Sequence, residues 1–163
     1  MNASAMYQLK ISLEGARPPN WRRVLVPGGI RLDALHTVIQ IAMGWDDSRP
    51  HRFVMDGNRW SLPDPDGDRY AKELDERRFR LHEILTRVGG NLRYVNDIGD
   101  EWRHKVVLEK ILSEGGGRRR PACVGGKFPG PQDDDEFEDG YAFTMAGVDA
   151  LLAQEKWPAD SMG

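Results

Sequence analysis

Three features of the sequence predict a single α+β domain: an antiparallel-rich sheet built from hairpins, with two or three helices packed mainly on one face. Paired segments alternate apolar and polar residues around corners rich in Gly, Pro and Asp. Residues 32–43 carry an apolar stripe at helical spacing. The length of 163 residues suits one domain, which at that size buries roughly 70% of its unfolded surface. The domain is expected to run over 1–163, with its core at about 5–112 and an irregular arm and helix over 113–163.

Tyr7, Leu9, Ile11 and Leu13 alternate with Gln8, Lys10, Ser12 and Glu14, the cleanest strand pattern in the chain. A turn at 15–20 leads to a second strand, Trp21 to Val26, stopped by Pro27-Gly28-Gly29. Leu32, Leu35, Val38, Ile39, Ala42 and Met43 then form the helical stripe, with Gly44 placed for a left-handed C-terminal residue. Asp33 in the first turn suits the positive end of the helix dipole. His36, at the edge of the stripe, reads as a partly buried structural histidine.

His51 to Met55 is a short strand, and Asp56-Gly57 signals a hairpin turn. Residues 61–76 read as an exposed loop. Asp64, Asp66 and Asp68 imitate the start of a calcium loop, but Pro65 interrupts the run and no Glu closes it. Leu81, Ile84, Leu85 and Val88 predict a short helix ended by Gly89-Gly90. The segments 92–96 and 102–109 form a hairpin around an Asp-Ile-Gly-Asp corner. Trp102, His104, Val106 and Leu108 share its inward face, and Trp102, Val106 and Leu108 are expected to be largely buried against the helix 32–43. Residues 113–141 read as an irregular arm, and Val148, Leu151 and Leu152 predict a last helix before Pro158.

The net charge of −3 supplies no global attraction for nucleic acid. Three local basic groups stand out: Arg22-Arg23, Arg77-Arg78-Arg80 and Arg118-Arg119-Arg120. They read as solvated surface, and would form a nucleic-acid interface only if they shared one face. No apolar run has the length of a membrane span, so no membrane partner is expected, and the cytoplasm is the expected location. The single Cys123 excludes an intrachain disulfide.

Walker, dinucleotide-binding, paired-cysteine zinc, His-Glu-x-x-His and Gly-x-Ser-x-Gly motifs are all missing from the sequence. What remains is a scattered set of residues able to bind a transition metal or move protons: His36, His51, Asp97, Asp100, His104, Cys123 and Asp133. Asp97, Asp100 and His104 are the candidate catalytic groups; His36, His51, Trp102 and Asp133 are candidate binding residues. Singly, each reads as structural. Together they would be costly to bury without purpose.

Several blocks resemble one family. Trp21-Arg22-Arg23-Val24-Leu25-Val26, Leu32-Asp33-Ala34-Leu35-His36, Ala42-Met43-Gly44-Trp45-Asp46-Asp47 and His51-Arg52-Phe53 look like the plasmid pRiA4b ORF-3-like family. The hairpin from Tyr94 to His104 resembles that family's Tyr-x-Tyr-Asp-Phe-Gly-Asp-x-Trp-x-His signature. Cys123, Gly126 and Pro131-Gln132-Asp133 resemble its Cys-x-x-Gly and Pro-Glu-Asp segment. The likeness spans roughly 5–141. Arg31, Arg52 and Gln132 depart from the Thr, acidic residue and Glu usual at those places.

The resemblance implies a compact α+β domain with no settled activity, some members being labelled transposon-associated TnpR or resolvase-like. Its motifs make His104 and Cys123 the candidate metal ligands, for a divalent transition metal. The leading expectation is a binding or accessory protein linked to plasmid or mobile-element biology, contacting nucleic acid or protein. The alternative is a small metal-assisted hydrolase-like enzyme using His104, Asp97, Asp100 and Cys123.

Overall fold

The alternating segments pair as their periodicity dictates. In the computed structural model, which describes residues 5–63, 73–97, 99–113, 120–127 and 144–163, β1 (Met6–Leu13) and β2 (Trp21–Pro27) form an antiparallel hairpin. β3 (His51–Met55) and β4 (Asn58–Ser61) form a second. Its corner, Asp56-Gly57, has φ of 50° and 84°, the doubly left-handed backbone that selects Asp-Gly in a two-residue turn. β5 (Leu74–Asp75) adds a parallel edge to β4. β6 (Asn91–Asn96) and β7 (Trp102–Leu112) form the third hairpin.

β8 (Ala122–Lys127) pairs antiparallel with β2 and corrects the reading of 113–141 as wholly irregular. The eight strands make one sheet in the order β5-β4-β3-β6-β7-β1-β2-β8. The loop expected over 61–76 and most of the arm fall largely outside the described residues. Within 73–76, however, the chain is ordered as β5 and the start of a 3-10 turn, Glu76–Arg78.

Alternation assigns the two sheet faces. Tyr7, Leu9 and Ile11 on β1, Val24 and Val26 on β2, Leu92 and Tyr94 on β6, and Val106 and Leu108 on β7 are all fully buried. They meet α1 (Leu32–Met43), whose Leu32, Leu35, Val38 and Ile39 are equally inaccessible. α1 lacks a side-chain N-cap at Arg31 and ends on Gly44 at φ 79°, the left-handed cap expected there. The short α2 (Leu81–Ile84) and α3 (Met145–Gln154) complete the helical layer, α3 lying against β8 and α1.

Two expectations about burial fail. Trp102 lies at the end of its strand and is 37% exposed, because the face it shares with His104 runs out from under α1 at the corner. Arg22 is the reverse case: it belongs to the helix-facing side of β2 and is fully buried rather than solvated. Its Nε donates to the Ala42 carbonyl (2.6 Å), and Nη1 donates to Asn20 Oδ1 (2.6 Å) and the Lys127 carbonyl (2.7 Å). One guanidinium thus ties the end of α1 to β2 and β8. Burial lowers its pKa to about 10, which still leaves it charged at neutral pH.

Candidate functional site

The most heavily hydrogen-bonded part of the core lies where the second half of α1 crosses β3 and β6. Register brings the groups together: Phe53 and His104 flank Tyr94, and His51 pairs with Asn96. His36 and Gln40, one helical turn apart, face them from α1.

The hydrogens can be followed around this cluster. The Asp47 amide donates to Gln40 Oε1 (2.7 Å), which turns the Gln40 nitrogen inward. That nitrogen donates to Tyr94 Oη (2.7 Å) and Asn96 Oδ1 (3.0 Å). The Tyr94 hydroxyl keeps its own hydrogen for His36 Nδ1 (2.6 Å), and His36 Nε2–H donates to Asp47 Oδ1 (2.7 Å). The circuit begins and ends on Asp47 and requires a neutral His36. Burial, reinforced by the neighbouring His51, pushes the His36 pKa down accordingly. Burial likewise raises that of Tyr94.

His51 stacks on His36 with ring centroids 3.6 Å apart and bonds Glu76 Oε1 at 2.7 Å. Glu76 has no solvent exposure, and burial raises its pKa. Its Oε2 has no hydrogen-bond partner among the described residues. The circuit reaches solvent through Asp47, whose side chain is 64% exposed. Beside it Trp45 packs on Trp102 at 5.7 Å and donates its indole N–H to His104 Nε2 (3.0 Å). Asp47, Asp97 and Glu101 around this rim all have φ between 55° and 61°, a region sparsely used outside glycine and often held at functional sites.

The sequence-nominated residues divide accordingly. His36 and His51 lie at the centre of the circuit and Trp102 on its rim. Asp97 packs beside the loop, its amide bonded to the Pro50 carbonyl and its carboxylate 3.5 Å from Arg49. Asp100 is exposed at the corner, whereas His104 is sealed beneath Trp45. His104 donates Nδ1–H to the Tyr94 carbonyl (3.2 Å) while Nε2 accepts from Trp45, so neither nitrogen is left for a metal or proton transfer. Its pKa falls to about 4, chiefly through burial.

Cys123 is buried on the edge strand β8; its amide donates to Asp149 Oδ1 and burial raises its thiol pKa. Three strand spacings separate β7 from β8, about 14 Å at the usual interval. His104 and Cys123 therefore cannot share a metal ion, and the proposed set of His104, Asp97, Asp100 and Cys123 does not converge. Asp133 and Gln132 lie outside the described residues. No group of three His, Cys, Asp or Glu side chains suited to a metal occurs among the described residues. Arg52 sits on the opposite sheet face from His51 and pairs with Glu73 at 2.7 Å, so its presence there does not disturb the circuit.

Sequence reasoning did not pick out Gln40, Asp47, Glu76, Tyr94 or Asn96 as one group. The bonds that join them to one another and to the histidines across the fold span 25 to 58 residues and leave no local pattern, although the blocks holding Asp47 and Tyr94 carried the family resemblance.

Fold and site together define a one-sheet α+β protein with a buried His–Tyr–Gln circuit under an aromatic rim. The chain belongs to the family described as plasmid pRiA4b ORF-3-like protein, whose model matches residues 5–155. It is 35% identical over 137 residues to the uncharacterized protein y4hQ of Sinorhizobium fredii (strain NBRC 101917 / NGR234), covering 77% of this chain and 69% of that one. Among solved structures it is similar to a protein of unknown function, MM3350 from Methanosarcina mazei Go1, with a TM-score of 0.67 and 28% identity. That match covers 91% of this chain and 80% of the other. No helix among the described residues is long and apolar enough to cross a membrane.

Proposed function

We propose that this protein is a cytoplasmic binding or accessory module, linked to plasmid or mobile-element biology as the family's description suggests, and that it engages a cationic group of a partner protein at the Trp45–Trp102 rim. The observation that carries this reading is an exposed indole, Trp102, braced by Trp45, which stands two residues before the solvent-facing carboxylate of Asp47. Trp102 offers a π face, Asp47 offers an acceptor, and the hydrogen-bond circuit holds both Asp47 and its loop in place. An ammonium or guanidinium over an indole gains about 0.5–2 kcal/mol, and a neighbouring carboxylate adds to it.

The arginines give less support to duplex DNA as the partner. Arg22 is buried, Arg23 pairs with Glu109 on the open sheet face, and Arg77, Arg78 and Arg80 lie near the start of α1. Described basic groups on different parts of the molecule do not make one phosphate-tracking stripe.

Indole N–H resonances, followed during titration with short Lys- or Arg-containing peptides and with matched Glu-containing peptides, test the reading. The basic peptides should shift the Trp45 and Trp102 signals, and Trp102→Ala or Asp47→Asn should weaken binding about tenfold without unfolding the chain. Equal response to acidic peptides, or no response to either, overturns it.

A further inference from the structure

Near the start of α1, on the other side of the 3-10 turn from the His51–Glu76 pair, lies a cleft of about 410 Å³ lined by Arg31, Arg77, Arg78, Arg80, His82 and Glu83. We propose that this cleft is a binding site for a small phosphorylated molecule, the arginines holding its phosphate group. The site is separate from the Trp45–Trp102 rim: α1 is 12 residues long, so its two ends stand about 18 Å apart.

The cleft is built on pinned backbone. Arg31 and Arg80 form an antiparallel bridge, flanked by Leu32 N–H to the Phe79 carbonyl (3.0 Å) and Leu81 N–H to the Ile30 carbonyl (2.8 Å). The Arg31 amide also bonds the Ser161 carbonyl at 2.8 Å, so three distant segments are locked together.

The side chains are oriented without being used up. Asp33 takes Nε and Nη2 of Arg31, both at 2.9 Å, and Asp75 takes Nε and Nη2 of Arg77, both at 3.0 Å. Each guanidinium thereby keeps Nη1 for a ligand. Arg80 spends Nη1 on the Gly29 carbonyl (2.7 Å), leaving its other nitrogens. Arg78 makes no hydrogen bond or ion pair among the described residues. Glu83, the one carboxylate on the lining, accepts from the Arg80 backbone amide (2.7 Å).

Free donors, rather than net charge, favour an anion here. Asp33, Asp75, Glu83, Asp160 and the buried Glu76 surround the four guanidiniums, but Arg78 and the Nη1 groups of Arg31 and Arg77 stay uncommitted. Arg77 and Arg31 are close enough to repel one another, a cost that a bound anion would relieve. The N-terminus of α1, which starts after Arg31 without a side-chain cap, adds the positive end of its dipole. Guanidinium forks match phosphate oxygens in geometry as well as charge. The cleft is larger than bare phosphate needs, so it leaves room for an organic body beside the phosphate.

Calorimetric titration of the full chain with phenyl phosphate, inorganic phosphate and sodium sulfate at matched ionic strength tests this. Phenyl phosphate should bind one per chain and be displaced by inorganic phosphate, and Arg78→Ala and Arg77→Ala should each weaken it about tenfold. Both residues are exposed, so the unfolding midpoint should hardly move. Arg59→Ala, an exposed arginine on β4 outside the lining, should leave binding unchanged. Tighter binding of inorganic phosphate than of phenyl phosphate would identify the free ion as the ligand and overturn the organic part of the proposal. No saturable heat below about 10 mM, equal losses in Arg59→Ala, or binding only to a single-stranded oligonucleotide that phenyl phosphate fails to displace would overturn the site itself.

Discussion

Arg22 and Arg23 are adjacent in sequence and opposite in physics. A strand turns successive side chains to opposite faces, so Arg22 enters the core while Arg23 lies on the open face, stacked over Trp21 and paired with Glu109 at 2.7 Å. Removing Arg22 strands the Ala42 carbonyl and the Asn20 side chain away from water, and unpaired buried groups are expensive. Arg22→Ala is therefore expected to cost about 2–5 kcal/mol, and Arg23→Ala less than ~1 kcal/mol because its ion pair is partly solvated. Urea unfolding of both variants checks the contrast, and similar costs would contradict the assignment of faces. The Arg-Arg pair alone reads as surface; only the phase of the alternation, with Val24 and Val26 inward, tells which arginine is buried.

The elements were legible where a local period exists. The β1–β2 hairpin, α1 with its Gly44 cap, and the β6–β7 hairpin follow from alternation, helical spacing and corner chemistry. β8 was not, because its Gly125-Gly126 and single apolar turn carry no strand period and its pairing partner β2 is about a hundred residues earlier. The site was legible only in part. His36 and His51 could be nominated by residue type, but Glu76 could not, since burial alone makes it unusual and burial is a property of the assembled sheet. Sheet order also decides the metal question. With β1 and β2 between β7 and β8, zinc added to metal-stripped protein should leave the unfolding midpoint within about 1 °C, and His104→Ala and Cys123→Ala should respond no differently. A midpoint that rises in the parent and in neither variant would restore the shared site.

At the scale of the whole molecule, the buried histidines should make stability depend on pH in a direction that can be worked out. His104 has an ordinary value of 6.5 and a folded value of about 4, because burial penalises its charged form. His36 is displaced the same way. Between those values the unfolded chain binds the proton and the folded chain does not, so stability rises with pH across the window and is lost as pH falls through it. His104 alone accounts for a loss on the order of 3 kcal/mol. Glu76 opposes this trend: burial raises its pKa, so the folded form holds a proton longer than the unfolded chain and gains stability on acidification. Glu109 acts the other way, since Arg23 lowers its pKa and the stability it contributes fades as acid protonates it. Two buried histidines outweigh one buried carboxyl, and the net slope should be positive from about pH 4 to 6.5. Urea denaturation across that range, with His104 ring resonances followed in the native protein, measures both quantities. The ring should stay neutral at pH 5.5 while the unfolding free energy declines; a flat stability profile, or a His104 titration near 6.5, would mean that the imidazole is not sealed beneath Trp45.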